Sequence, residues 1–232
     1  MLAAGQGFLF VDEAGSVNEL PQPEAGHVTV RMNDGACDPQ GRFWAGTMAY
    51  DESPGAGTLY RLELDGQCST VLTGLTISNG IGWSPDGRTM YLSDSGTRLV
   101  EAFDFDGLTG AISARRTLVH IDQPGAAPDG LTVDEQGDIW VALYGGWAVH
   151  RYGPEGSLRA TVHIPVAQAT SCAFGGDDRR ILFVTTGRER LGEADRELQP
   201  DAGRVFSVIG LGARGTECAR YRGPVPTAGR LR

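Results

Sequence analysis

The feature that most constrains this chain is a repeat carried by its turns. Four segments can be laid over one another: NDGACDPQGRFWAG from Asn33, NGIGWSPDGRTMYLS from Asn79, DGLTVDEQGDIWVAL from Asp129 and SCAFGGDDRRILFVT from Ser171. In the first three a turn glycine (Gly41, Gly87, Gly137) follows the leading polar residue by eight positions, and in the fourth Arg179 takes that place. The leaders are separated by 46, 50 and 42 residues. A period in the forties is that of a four-stranded propeller blade.

Each segment reads as a hairpin. Leu131-Thr132-Val133 runs into a polar turn and then into Ile139-Trp140-Val141, and Pro85-Asp86-Gly87 combines a fixed φ with a permissive one. Further strands are expected at Thr58 to Leu64, Val100 to Phe105, Ala148 to Tyr152 and Arg204 to Val208, with turns at Asp65-Gly66 and Asp106-Gly107. The 34 glycines are scattered along the chain, as many short strands and tight turns require, and no strong amphipathic helix is visible. The reading is all-β, with residues 1–232 as a single propeller domain.

In a propeller the first strand of each blade faces the axis. Asn33, Asn79, Asp129 and Ser171 are therefore expected around one mouth of the channel. Amide and carboxylate oxygens are hard donors, suited to calcium, magnesium, manganese or zinc with bound water. Asn-Gly and Asp-Gly are equally the commonest turn dipeptides, so for Asn79 and Asp129 a turn role and a ligand role both stand.

Charge and residue usage exclude other classes. A formal net charge of -9 is opposite to the electrostatic footprint of a nucleic-acid binder and is repelled by anionic membranes. Neither a P-loop nor a G-x-S-x-G elbow occurs. Cys37, Cys68, Cys172 and Cys218 form no C-x-x-C pair and are expected to be reduced and mostly buried; His27, His120, His150 and His163 are dispersed and read as structural. With no signal-like start and no bilayer-spanning run, the cytoplasm is the default address. Oligomeric state is open.

Several phrases together carry a family resemblance: R-M-N-D-G (31–35), F-W-A-G-T-M (43–48), S-N-G-I-G-W-S (78–84), P-D-G-L (128–131), T-S-C-A-F-G-G (170–176), P-D-A-G-R-V-F (200–206) and G-L-G-A-R-G (210–215). In this order and spacing, from about residue 5 to Gly223, the chain resembles the SMP-30/gluconolactonase/regucalcin family. The resemblance implies a six-bladed propeller of four-stranded blades that opens sugar lactones with one divalent cation. Asn79 and Asp129 match two of the family's metal ligands, and Asp129 also matches its catalytic acid/base. Arg31 and Asn33 match residues that hold the lactone, and Asp51 stands near a further substrate-binding carboxylate. The family's third ligand, a glutamate in an E-G-P-x-W type motif, has no counterpart, since Glu13, Glu19 and Glu24 lack that context. Six blades of about 45 residues need roughly 270, so the chain is expected to lack its first blade, to hold about five, and to bind metal weakly. The alternative is a non-enzymatic calcium-binding propeller of the regucalcin type. Paraoxonase-like and strictosidine-synthase-like propellers share the architecture, and R-M-N-D-G argues against them.

Overall fold

A computed structural model describes residues 1–226. The chain forms two compact units, one of Met1–Ser78 with the segment beginning at Cys218, the other of Asn79–Glu217.

The first unit contains two antiparallel sheets. One has three short strands, β1 (Leu2–Ala4), β2 (Gly7–Val11) and β3 (Val17–Glu19). The other is a four-stranded meander of β4 (Val30–Cys37), β5 (Phe43–Ala49), β6 (Gly57–Leu62) and β7 (Cys68–Leu75). Phe8, Met32, Phe43, Ala45, Tyr60 and Leu62 close the core between them, with the Phe8 and Phe43 rings edge to face at 5.7 Å.

The second unit contains three such meanders. They are β8 (Ser78–Trp83) to β11 (Ile112–His120), with β9 at Thr89–Asp94 and β10 at Leu99–Phe105; β12 (Ala127–Val133) to β15 (Leu158–His163), with β13 at Ile139–Tyr144 and β14 at Ala148–Tyr152; and β16 (Ala169–Gly175), β17 (Ile181–Thr186) and β18 (Val205–Val208). One apolar layer joins Val100, Leu131, Val133, Val141 and Leu143; a second joins Trp140, Phe174, Leu182 and Val184, with Trp140 and Phe174 edge to face at 5.4 Å. A single short helix among the described residues, α1 (Glu193–Leu198), lies between β17 and β18.

The fold is thus an all-β propeller type, with five blade-like sheets of three or four strands among the described residues. Five agrees with the number of blades expected here. The strands expected from Thr58, Val100, Ala148 and Arg204 are present as β6, β10, β14 and β18. The last strands of the four-stranded sheets, β7, β11 and β15, were not foreseen. β11 and β15 are mostly solvent-facing, as in Leu158–His163, and β7 is half-buried or exposed over most of its length, so none of the three shows the strict apolar alternation that marks a strand.

The repeated turns share one mechanism. Asp38 Oδ1 accepts the Gln40 and Arg42 backbone N–H groups at 3.0 Å each, and Oδ2 accepts the Trp44 indole N–H at 3.1 Å and Arg42 Nη1 at 3.0 Å. Asp134 repeats this with Gln136 (2.9 Å), Asp138 (3.0 Å), Trp140 (3.0 Å) and Arg151 (2.9 Å). In both sheets an arginine lies over the tryptophan, Arg61 at 5.2 Å from the ring centre and Arg151 at 5.0 Å. Ser84 performs the turn role with a hydroxyl, accepting from Thr89 N–H at 3.0 Å. Gly41, Gly87 and Gly137 all have positive φ, and Arg179 holds the same left-handed conformation at φ 55° without being glycine.

Candidate functional site

Two of the leading residues, Asn33 and Asp129, sit where strands leave their ladders. On β4 the pairing jumps from Met32–Thr47 to Gly35–Ala45, so Asn33 and Asp34 together face the single residue Gly46. On β12 it jumps from Pro128–Leu143 to Leu131–Val141, so Asp129 and Gly130 face Ala142. Both are two-against-one bulges, which redirect a side chain that regular pleating would leave in the sheet. Asn33 and Asp129 are therefore equivalent in structure as well as in sequence. Ser171 departs from the pattern: the irregularity on β16 falls at Thr170, and Ser171 is back in register with Thr185.

In the second unit, Asn79, Asp129 and Ser171 lie on strands that approach closely at this level. A Cβ on Gly80 would stand 2.7 Å from the Asp129 carbonyl oxygen and 2.4 Å from Leu131 N, and one on Gly130 would overlap the Ser171 side chain. Only glycine lets these backbones come so near. Asn79 is buried at 9% exposure and Asp129 is half-buried. The Asn79 amide nitrogen donates to Ser95 Oγ at 2.8 Å, and that hydroxyl donates to the Pro128 carbonyl at 2.6 Å. Ser95 escaped the sequence reading because D-S-G-T at 94–97 looks like any polar turn; its participation depends on the folded path of three strands.

In the first unit, Arg31 and Asn33 form a small network. Arg31 Nη1 donates to Asn33 Oδ1 at 2.7 Å and to the Met32 carbonyl at 3.0 Å, and its guanidinium lies 5.9 Å from the Tyr50 ring centre. Asn33 Nδ2 donates to the Ser78 carbonyl at 2.9 Å. Arg31 is half-buried and held, unlike a freely solvated surface arginine. Asp34 was overlooked in the same phrase. The residue is half-buried overall, yet desolvation raises its carboxyl above the usual 3.8, partly offset by the Gly35 N–H it accepts at 2.7 Å.

Asp51 is in a different setting. It is exposed in a turn, accepting the Ser53 hydroxyl at 2.7 Å and the Ser53 backbone N–H at 3.0 Å, and these bonds lower its carboxyl below the ordinary value. Glu24 is buried and accepts from Tyr60 OH at 2.9 Å, with His27 Nδ1 also at 2.8 Å, which gives it a packing role. His120 pairs with Asp122 and His150 with the Tyr152 hydroxyl. None of the four cysteines is in a disulfide, but only Cys172 is buried; Cys37 and Cys68 are half-buried, and Cys218 is exposed. Desolvation pushes Cys37 and Cys68 up to about 11, so both are inert thiols at neutral pH.

Asn79 and Asp129 offer an amide oxygen and a carboxylate, which fits a hard divalent cation completed by water or substrate oxygens. Among the described residues no group of three or more His, Cys, Asp or Glu side chains is placed to hold a metal ion.

The match to known proteins decides the family. Residues 1–188 match the SMP-30/Gluconolactonase/LRE-like region. The chain belongs to this family. Regucalcin of Oryctolagus cuniculus is 41% identical over 199 residues, covering 83% of this chain and 67% of the relative. A regucalcin structure from Agrobacterium tumefaciens strain C58, described as a calcium-binding protein, superposes with TM-score 0.90 at 31% identity over 95% of this chain and 75% of its own. A gluconolactonase from Xanthomonas campestris superposes with TM-score 0.64 at 26% identity, covering 76% of this chain and 61% of its own. No helix among the described residues is long and apolar enough to cross a membrane.

Proposed function

We propose that this member of the SMP-30/gluconolactonase family hydrolyses sugar lactones to aldonic acids with the help of one divalent cation. The observation that supports this most is the meeting of Asn79 and Asp129 strands in the second unit, with Asp129 lifted out of its ladder by a bulge. Family membership supplies the reaction class, and the oxygen-only donor pair supplies the preference for a hard cation over a soft one.

Asn79 and Asp129 would hold the cation, which when bound supplies Lewis acidity to a lactone carbonyl. Asp129 takes a proton from the attacking water and returns it to the ring oxygen as the C–O bond breaks. Arg31 and Asn33 bind sugar hydroxyls; their mutual hydrogen bond orients both before substrate arrives, so less ordering remains to be done on binding. Asp51 is assigned a peripheral sugar contact that shares its carboxylate with Ser53.

The test is hydrolysis of glucono-1,5-lactone by the metal-stripped protein, followed by readdition of calcium, magnesium, manganese or zinc in turn. Cation-dependent turnover is expected. Cation binding without turnover would favour the second reading, a calcium-binding propeller, which the description of the Agrobacterium relative brings into view. Neither binding nor turnover would end both.

A further inference from the structure

Ser95 follows β9 in the turn before β10 and belongs to none of the family phrases in the sequence. Its hydroxyl has one proton and two lone pairs. The Pro128 carbonyl, 2.6 Å away, can only accept, so the Ser95 proton goes there. Ser95 Oγ must then accept from the group 2.8 Å away on Asn79, which is therefore the NH2 end of that amide. The chain of bonds runs in one direction, and it selects the amide orientation in which the Asn79 carbonyl oxygen is turned from Ser95. At its other end the Ser95 bond pins the peptide that links Pro128 to Asp129, at the start of the bulge. One hydroxyl thus sets the orientation of one residue and the backbone of the other.

We propose that Ser95 is a positioning residue that locks the Asn79 amide and the Asp129 bulge together, so that their oxygens reach a divalent cation already oriented. The proposal rests on the functional reading above for what the pair is held to do. Outer hydrogen bonds of this kind typically matter about 10–100-fold in metal affinity.

The experiment compares the parent with Ser95→Ala and Ser95→Thr by calorimetric titration with calcium and manganese, by the NMR signals of the Asn79 side-chain NH2 group, by thermal melting and by gluconolactone kinetics. Ser95→Ala should move the Asn79 signals, weaken cation binding about tenfold or more and lower kcat more than it raises KM, with little change in melting. Ser95→Thr keeps the hydroxyl and should restore parental affinity. If Ser95→Ala does not fold, Ser95→Cys, with a weaker and longer bond, must still lose affinity. Parental cation affinity or unmoved Asn79 signals in Ser95→Ala would overturn the proposal while leaving the lactonase reading intact. A parent that binds neither cation would sink that reading and the role of Ser95 with it.

Discussion

Asp129, on β12, and Asp134, in the turn that follows it, lie five residues apart, and their surroundings differ in kind. Asp134 is fully buried and its two oxygens accept four donors, from the Gln136 and Asp138 backbones, the Trp140 indole and Arg151. Its charge is consumed in holding a turn and a tryptophan in place. Asp129 is half-buried at a bulge, where the ladder is interrupted and the backbone of β8 comes close. The first unit repeats the contrast, with Asp38 saturated in its turn and Asn33 placed on the β4 bulge. Of these two neighbouring aspartates, then, Asp134 serves the turn after β12, and Asp129, on the β12 bulge, is the one to which the proposal above gives a chemical role.

Substitutions can break this contrast. The largest effect is expected for Asp129→Asn, which should lower lactone kcat about 10²–10⁴-fold, the usual worth of a general acid/base, with an unchanged melting temperature. Steady-state kinetics and calorimetric melting on the same sample check it; retained turnover would remove Asp129 from the reaction. Asp134→Ala should do the reverse. Removing the acceptor of the buried Trp140 N–H and one of the two carboxylates on Arg151, which keeps Asp138 at 2.7 Å, should cost about 1–3 kcal/mol of stability, read by urea unfolding.

A subtler effect is expected at Asp34. Its folded carboxyl is raised by desolvation, so its contribution to stability is fully present below the ordinary 3.8 and is lost as pH rises through the higher folded value. Asp34→Asn cannot ionise and keeps an acceptor for Gly35 N–H. The melting temperature of the variant relative to the parent should therefore increase with pH; a constant difference would contradict the assignment. The smallest change is expected for Asp51→Asn, an exposed turn residue, where KM for gluconolactone should rise by only about twofold, in keeping with a screened surface charge.

Much of the fold was legible because the repeat resides in turns, and turn chemistry is local. Asp38, Ser84 and Asp134 accept backbone N–H groups two to five positions onward, and the glycines adopt a conformation that neighbours cannot veto. The exposed last strands were not legible. Polar residues such as Arg115, Arg116 and Arg159 satisfy a solvent-facing strand as well as a loop, and only pairing with the preceding strand shows which it is. At the candidate site, Asn79 and Asp129 stood out through their phase in the repeat. Asp51 was picked out by nearness to a family position and lies in a solvent-facing turn. Asp34 was passed over because an aspartate before glycine looks like turn punctuation; its desolvation is produced by packing around β4.

The sequence by itself determined the all-β class, the blade-length period, the turn devices and the family, since each depends on residues that interact over a few positions or on phrases compared one by one. Tertiary structure alone decided which repeated positions are equivalent in space. It put Asn33 and Asp129 on bulges, returned Ser171 to its ladder and brought Ser95 between Asn79 and Pro128. The physical reason is that a bulge and a hydrogen bond across three strands are properties of register, and register is fixed only when distant segments pair.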